Sequence, residues 1–229
     1  MQREAPSNSS AEFAERGSQR WLQVAIQQRP DVLLGQLKRP LRLSEDETIE
    51  WRSPLRKDGF VEYRDKAALR QAGIEKLPCR PLNEFWPARG PVWDAIGVAG
   101  KRSIFVEAKA HIAEMASTGT KATPESLKLI ERSLEETRCR YAPRSTSPWT
   151  RTFYQYANRI AHHYLLRELN QIESHLVFLY FLNAADMARP SSCEKWEGAI
   201  ELMRAALGLS EATLEGVHTV FVDVRELTA

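Results

Sequence analysis

The sequence predicts an α/β protein in which helices cover both faces of one β-sheet. One observation behind this prediction is the stretch 91–111, where two short apolar runs flank a turn that contains glycine. This pattern predicts a β-hairpin. The other is the carboxyl-terminal part of the chain, in which the patterns typical of strands and helices alternate. It reads as strand, helix and strand over residues 174–183, 192–207 and 217–224.

The length and composition are those of an ordinary globular protein. The 229 residues are enough for one domain with a sizeable core, and 43% of them are hydrophobic and 27% charged. We predict a single domain over residues 10–229, preceded by a loose polar tail over residues 1–9 without the apolar segment of a signal peptide. The net charge of +2 gives no global indication of nucleic-acid binding, so a basic surface has to be local.

The cysteines and the apolar runs indicate the compartment. Cys79, Cys139 and Cys193 are odd in number, far apart and without the Cys/His spacing of a zinc site. Free thiols in a reducing compartment are the simplest interpretation. The longest apolar run, residues 176–182, is far too short to cross a bilayer. We therefore expect a cytoplasmic protein with no membrane partner.

The amino-terminal half contains short elements. Ser10 can cap a helix that runs towards Gln28 and stops at Arg29-Pro30. Residues 41–51 and 60–63 are candidate strands around the turn at Lys57-Asp58-Gly59. Residues 65–72 have the composition of a short helix that ends at Gly73. The proline-rich residues 78–87 are predicted to form an irregular loop over the sheet.

Two helices are predicted after the hairpin. Thr123-Pro124-Glu125 supplies a cap, a first-turn proline and a first-turn acid, which together mark a helix start. A loop over residues 141–148 separates this helix from a long one over residues 149–170. The long helix has an apolar face that includes Tyr156, Ile160 and Tyr164.

Polar groups interrupt the apolar runs of the hairpin. Asp94 lies among apolar residues of the first run, and Glu107 and Lys109 are two apart in the second. Because side chains of a strand alternate between its faces, Glu107 and Lys109 point to the same side. We expect Asp94 to meet them across the hairpin. Two such carboxylates repel each other and lose hydration unless they bind a cation.

The residue types at this point favour Mg²⁺, or Mn²⁺, as the bound cation. Carboxylate oxygens of Asp94 and Glu107, one backbone carbonyl and several waters are the ligands that Mg²⁺ accepts. Lys109 can orient or help to deprotonate a bound water, or offset charge that develops on a phosphate. An ordinary surface hairpin with a Glu–Lys pair is the alternative interpretation.

Asp94 followed by Glu107-Ala108-Lys109 at the end of an apolar strand resembles the signature of the PD-(D/E)XK nuclease superfamily. The resemblance implies a restriction-endonuclease-like fold, with a central mixed sheet flanked by helices, and Mg²⁺-dependent cleavage of phosphodiester bonds. It further implies that Asp94, Glu107 and the carbonyl of Ala108 bind metal, while Lys109 assists the water nucleophile. Pro91 lies three residues before Asp94, whereas the family pattern has it adjacent.

A further catalytic group is expected on the first helix. Several PD-(D/E)XK families carry a glutamate near the start of that helix, and the distance to Pro30 places this position on Gln19. Glu15 lies one turn earlier on the same face, and Glu84 is a spare acid close to the hairpin. Which of these three completes the site stays open, and a solvated surface position is the alternative for each.

The chain also has a local excess of positive charge. Between Lys121 and Arg167 there are nine basic and four acidic residues, a difference of +5. Such an excess suits contacts to phosphate groups. His162 and His163 add partial charge to this excess. Helical spacing places Arg151, Gln155, Arg159 and His162 close to one stripe of the long helix, opposite its apolar face. Together with Arg144, these four residues are predicted to bind nucleic acid.

The favoured function is therefore a Mg²⁺-dependent nuclease that acts on DNA. RNA, either strandedness and any sequence preference stay open, as does a homodimer that would reach two strands. One alternative is a catalytically silent nucleic-acid-binding or scaffold domain on the same fold. Another is an unrelated α/β enzyme or partner-binding protein, in which Asp94 and Lys109 do not meet.

Overall fold

A mixed sheet organises the chain in a computed structural model, which describes residues 11–117 and 119–229. Within those residues the sheet has five strands in sequential spatial order, antiparallel from β1 to β3 and parallel from β3 to β5. The strands are β1 Glu50–Ser53, β2 Ala95–Ala99, β3 Arg102–Lys109, β4 Ser174–Leu182 and β5 Val217–Asp223. The predicted α/β class is confirmed. The predicted tail, the Ser10 cap and Thr118 lie outside the described residues.

Helices cover both faces of the sheet. They are α1 Gly17–Gln27, α2 Pro30–Lys38, α3 Asp65–Gln71, α4 Leu82–Phe85, α5 Pro124–Tyr141, α6 Tyr154–Tyr164, α7 Cys193–Leu207 and α8 Val224–Thr228. On one face α1, α2 and α8 pack around strand residues such as Val106 and Phe181. On the other face α3 to α7 pack around Phe105, Phe178 and Tyr180. The strands between the two layers are buried on both sides, as their apolar sequences predict.

The hairpin of β2 and β3 forms for local reasons. Gly100 has a φ of +59°, a conformation that glycine adopts without a steric penalty, and it turns the chain between the two strands. Ala95 pairs with Val106, and the ladder continues one residue beyond β2 because the Asp94 N–H donates to the Val106 carbonyl at 3.2 Å. This extra rung holds Asp94 beside the end of β3.

Helix α6 is deeply buried beside the sheet. Each residue from 156 to 164 is buried, including its polar ones. It begins at Tyr154, five residues later than predicted, because Phe153 has a φ of +63° and breaks the helical path before it. A π-helical turn, Leu165–Leu169, extends it to the predicted end.

Other boundaries differ from the prediction in the amino-terminal half. Helix α1 starts at Gly17, after an irregular stretch. Of the candidate strand over residues 41–51, only Glu50 and Trp51 lie in a strand, as the start of β1. Residues 60–63 contribute one isolated bridge, between Tyr63 and Trp93. The elements predicted at residues 65–72 and after residue 174 agree to within one or two residues.

The cysteines and the helices bear on two further predictions. Cys79, Cys139 and Cys193 are free thiols. Among the described residues no helix combines the length and the apolar character needed to cross a membrane.

Candidate active site

The polar groups of the hairpin meet in an open cleft at the carboxyl end of β3. The cleft has a volume of about 710 Å³. Its lining comes from the hairpin, from the segment after β3 and from the start of α6. The charged residues in that lining are Asp94, Glu107, Lys109, Glu114 and Arg159.

The structure brings Asp94, Glu107 and Lys109 together. The Lys109 Nζ lies 2.5 Å from Glu107 Oε1, and both side chains are on the same face of β3. Asp94 Oδ2 accepts a hydrogen bond of 2.7 Å from the backbone N–H of Ala108, the residue between them. A single backbone amide thus links the aspartate to the Glu-Ala-Lys segment.

Arg159 is the second cation of this cluster. It reaches from α6, its Nε donates to Glu107 Oε2 at 2.7 Å, and its Nη2 donates to the Val92 carbonyl at 2.8 Å. Its guanidinium also lies over the Trp93 ring, 5.0 Å from the centroid. Glu107 is 3% exposed and Arg159 5%, so this is a buried ion pair.

Burial and mutual charge shift the pKa values of the cluster. Loss of hydration, followed by repulsion from Glu107, raises the pKa of Asp94 to about 7. Burial also opposes the charge on Glu107, but Arg159 and Lys109 outweigh it and hold the pKa of that carboxyl below its usual range. Burial disfavours the Lys109 ammonium, yet Glu107 and Asp94 raise its pKa. At neutral pH Lys109 is therefore a cation and Glu107 an anion.

A third carboxylate, Glu62, stands opposite Asp94. The antiparallel bridge between Tyr63 and Trp93 brings the residues beside them into register. Burial and the negative charge of Glu107 raise the pKa of Glu62. No motif marks Glu62 in the sequence. The sequence signal was the short, mostly apolar run 60–63, which predicts a strand, but its partner Trp93 is thirty residues further along the chain.

Helix α1 contributes through the polar residues of its first turn. The predicted catalytic residue Gln19 is exposed, and its Nε2 lies 3.4 Å from Glu62 Oε1. Its neighbour Ser18 donates to Glu114 Oε2 at 3.0 Å. Gln19 thus lies at the edge of the acidic cluster as a partner of Glu62. Glu15 is exposed and precedes the helix.

Glu84 lies on the surface of α4. Its side chain is exposed, and its backbone carbonyl accepts a hydrogen bond from Arg132. It is outside the lining of the cleft.

The predicted phosphate-binding residues separate into two groups. Arg144 and Arg151 are exposed, and Gln155 lines the cleft. Arg159 and His162 are buried instead of lying on a solvent-facing stripe, because α6 is covered on its polar side as well.

His162 does not add to the positive surface. Its ring packs against that of Trp86 at a tilt of 59°, with centroids 4.7 Å apart, and burial lowers its pKa to about 4. Burial lowers the pKa of His163 to about 4 as well. Both rings are neutral at pH 7, so the expected partial charge of these two histidines is absent there.

The raised pKa of Asp94 predicts an unusual pH dependence of stability. Between the ordinary aspartate value and about pH 7, folded Asp94 keeps a proton that the unfolded chain releases. Stability contributed by this group is therefore lost as the pH rises. In EDTA, we expect Asp94→Asn to raise Tm relative to wild type at pH 8 and to change it much less at pH 5.

Thermal melts of both proteins at the two pH values measure this difference, and each kcal/mol shifts Tm by about 2–4 °C for a chain of this size. Asp58→Asn, at a solvent-facing aspartate in the short helix Arg56–Asp58, is the control and should show no such divergence. A constant Tm difference between pH 5 and pH 8 for Asp94→Asn would contradict the expectation.

No protein-family model matches the chain, and the searches of curated proteins and of solved structures gave no match either.

Proposed function

We propose that this protein is a Mg²⁺-dependent nuclease of the PD-(D/E)XK type, with a restriction-endonuclease-like fold, that hydrolyses phosphodiester bonds of DNA. The observation that supports it best is the meeting of Asp94 with Glu107 and Lys109 in an open cleft. The mixed sheet is compatible with that fold, since an antiparallel hairpin continues into parallel strands.

The acidic residues fit a magnesium ion by their chemistry. Among the described residues no group of three or more Asp, Glu, His or Cys side chains is arranged to hold a metal. Mg²⁺ does not need such a cage, because it keeps several waters and uses one or two carboxylates together with substrate phosphate. Asp94 and Glu107 would supply those carboxylates, with the Ala108 carbonyl beside them. Hydrogen bonds from described residues to the Asp94 side chain involve Oδ2 alone.

The remaining residues have roles that follow from their charge. When bound, Mg²⁺ would polarise the phosphate and lower the pKa of a coordinated water. Lys109 stays protonated, so it would hold the attacking water by a hydrogen bond and offset charge on the phosphate. Arg159 would fix the orientation of Glu107 through the contact to Oε2. Arg151, exposed next to the cleft, would contact the phosphate backbone.

A catalytically silent nucleic-acid-binding domain is the second candidate. One observation favours it: both oxygens of Glu107 already have cationic partners, Lys109 at Oε1 and Arg159 at Oε2. A metal ion at Glu107 would have to compete with these two groups. Asp94, Glu107 and their cationic partners would then form a structural cluster that catalyses no reaction.

A cleavage assay separates the two candidates. The protein is purified in EDTA and incubated with supercoiled plasmid, single-stranded DNA and RNA, with Mg²⁺, Mn²⁺ or EDTA. We expect the divalent ions to support cleavage and EDTA to prevent it. Glu107→Gln, purified in parallel, keeps the shape of the side chain and should be inactive. If wild type and Glu107→Gln were equally active, the activity would come from a contaminating nuclease, and the proposal would lose its support.

A further inference from the structure

A second cavity adjoins the cleft. It has a volume of about 490 Å³ and shares three lining residues with the cleft, namely Pro91, Tyr154 and Asn158. Its other walls are the loop before β2 and the segment that leads into the first turn of α5. The two cavities are therefore neighbouring compartments of one groove.

Hydrogen bonds hold the wall on the side of β2 in place. The Asp65 carboxylate accepts from the backbone N–H groups of Arg89 and Gly90, both at 2.9 Å. A Cβ added at Gly90 would come within 2.9 Å of Asp65 Oδ1 and 3.3 Å of His162 Nε2, so this close approach requires glycine. This wall of the cavity is thus preformed.

The lining combines cationic, aromatic and hydrogen-bonding groups. Among the described residues around the cavity, the charged ones are Arg89 and Lys121, and both are cationic and exposed. Tyr154 is half-buried at the boundary of the two compartments, and the buried Trp86 forms part of the inner wall. This composition is complementary to an anionic group that carries a planar ring.

Asn158 offers a hydrogen-bond donor between the two compartments. It is 6% exposed, and its Oδ1 accepts from Arg159 Nη1 at 2.8 Å. Because arginine can only donate, the contacting atom is the oxygen, and the amide Nδ2 is the remaining group. No described residue accepts a hydrogen bond from this Nδ2, which belongs to a side chain that lines both cavities.

We propose that this second cavity binds one unstacked nucleotide next to the phosphate that is cut, so that the protein acts on single-stranded DNA. The inference rests on the proposed nuclease function and names its substrate class. A volume of 490 Å³ suits a ligand of the size of one nucleotide but is far too small for a duplex. Tyr154 stacks on the base, Arg89 and Lys121 bind the backbone, and Asn158 donates to a phosphate oxygen.

Fluorescence anisotropy in EDTA tests the inference without any cleavage. The probes are a labelled single-stranded oligonucleotide of eight thymidines and a labelled hairpin duplex. We expect the single strand to bind wild type at least tenfold more tightly than the duplex. Tyr154→Ala should weaken single-strand binding by roughly tenfold, because one base loses its stacking partner. Tyr154→Phe keeps the ring and should bind like wild type.

Two matched control variants show whether the effects belong to the groove. Tyr141→Ala removes a half-buried tyrosine outside the groove and should leave binding unchanged. Lys121→Gln should reduce the salt dependence of binding by roughly 0.7 in slope for one lost phosphate contact, whereas Lys101→Gln in the hairpin turn should not. Thermal melts show that each variant is folded.

The possible results distinguish the inference from the nuclease proposal. Single-strand binding that depends on Tyr154, in a protein that cuts nothing, would support the cavity and overturn the nuclease. Metal-dependent cleavage of duplex DNA that is unchanged in Tyr154→Ala would keep the nuclease and overturn the cavity. Equal affinity for the single strand and the duplex would overturn the cavity as well.

Discussion

Lys109→Ala should slow Mg²⁺-dependent cleavage by roughly 10²–10³-fold while leaving DNA affinity within about twofold of wild type. The ammonium group lies 2.5 Å from Glu107 and faces the cleft, and its pKa is raised, so it carries a full charge where the phosphate would react. A charge placed for the transition state lowers the rate when removed, by roughly 10²–10³-fold, without weakening ground-state binding. Single-turnover cleavage and anisotropy on the same oligonucleotide measure the two quantities separately.

The fold should survive this change, because Glu107 keeps its contact with Arg159. Lys101→Ala is the matched control, since Lys101 is exposed in the turn at the opposite end of the same hairpin. It should cleave at the wild-type rate. A Lys109→Ala protein that still cleaves normally would remove Lys109 from the chemistry. A parallel loss of affinity and cleavage would assign it to substrate binding instead.

The hairpin could be predicted from the sequence because its determinants are local. The apolar run of residues 104–106 and the glycine at position 100 define two strands and a turn within a short stretch. Spacing alone then places Glu107 and Lys109 on one face, and antiparallel pairing brings Asp94 to them. The same local rules predicted β4, α7 and β5, whose patterns are long and uninterrupted.

Glu62 and Asn158 could not be predicted, because their placement depends on contacts between distant segments. Glu62 reaches the cluster through one bridge, Tyr63 to Trp93, which carries no repeating pattern. Helical spacing likewise puts Arg159 and His162 on one stripe, but it does not tell whether another layer covers that stripe. Other parts of the protein cover α6 on both sides. Arg159 therefore forms an internal ion pair with Glu107, and His162 is a buried imidazole, so neither faces solvent where it could bind phosphate.

Arg159→Met should destabilise the protein by roughly 3 kcal/mol, because it leaves the buried Glu107 carboxylate with one cationic partner instead of two. The adjacent Trp93 also loses its stacked guanidinium. Combining Arg159→Met with Glu107→Gln replaces the buried carboxylate with a neutral amide and should recover part of that loss. Urea denaturation of wild type, both single variants and the double variant gives the coupling free energy directly.

The exposed pair of Arg140 and Glu168 is the matched control, and Arg140→Met should change the free energy of unfolding by at most about 1 kcal/mol. A coupling energy near zero for Arg159 and Glu107 would show that the pair does not stabilise the site.

The same variants also distinguish the two candidate functions. If Arg159 and Mg²⁺ compete for Glu107, Mg²⁺ should raise the Tm of Arg159→Met more than that of wild type, by mass action on the folded state. If Arg159 only orients Glu107 for the ion, the metal-dependent increase in Tm should instead be smaller in Arg159→Met. Without Arg159 the carboxylate loses its conformational freedom only when the ion binds, and this cost weakens binding.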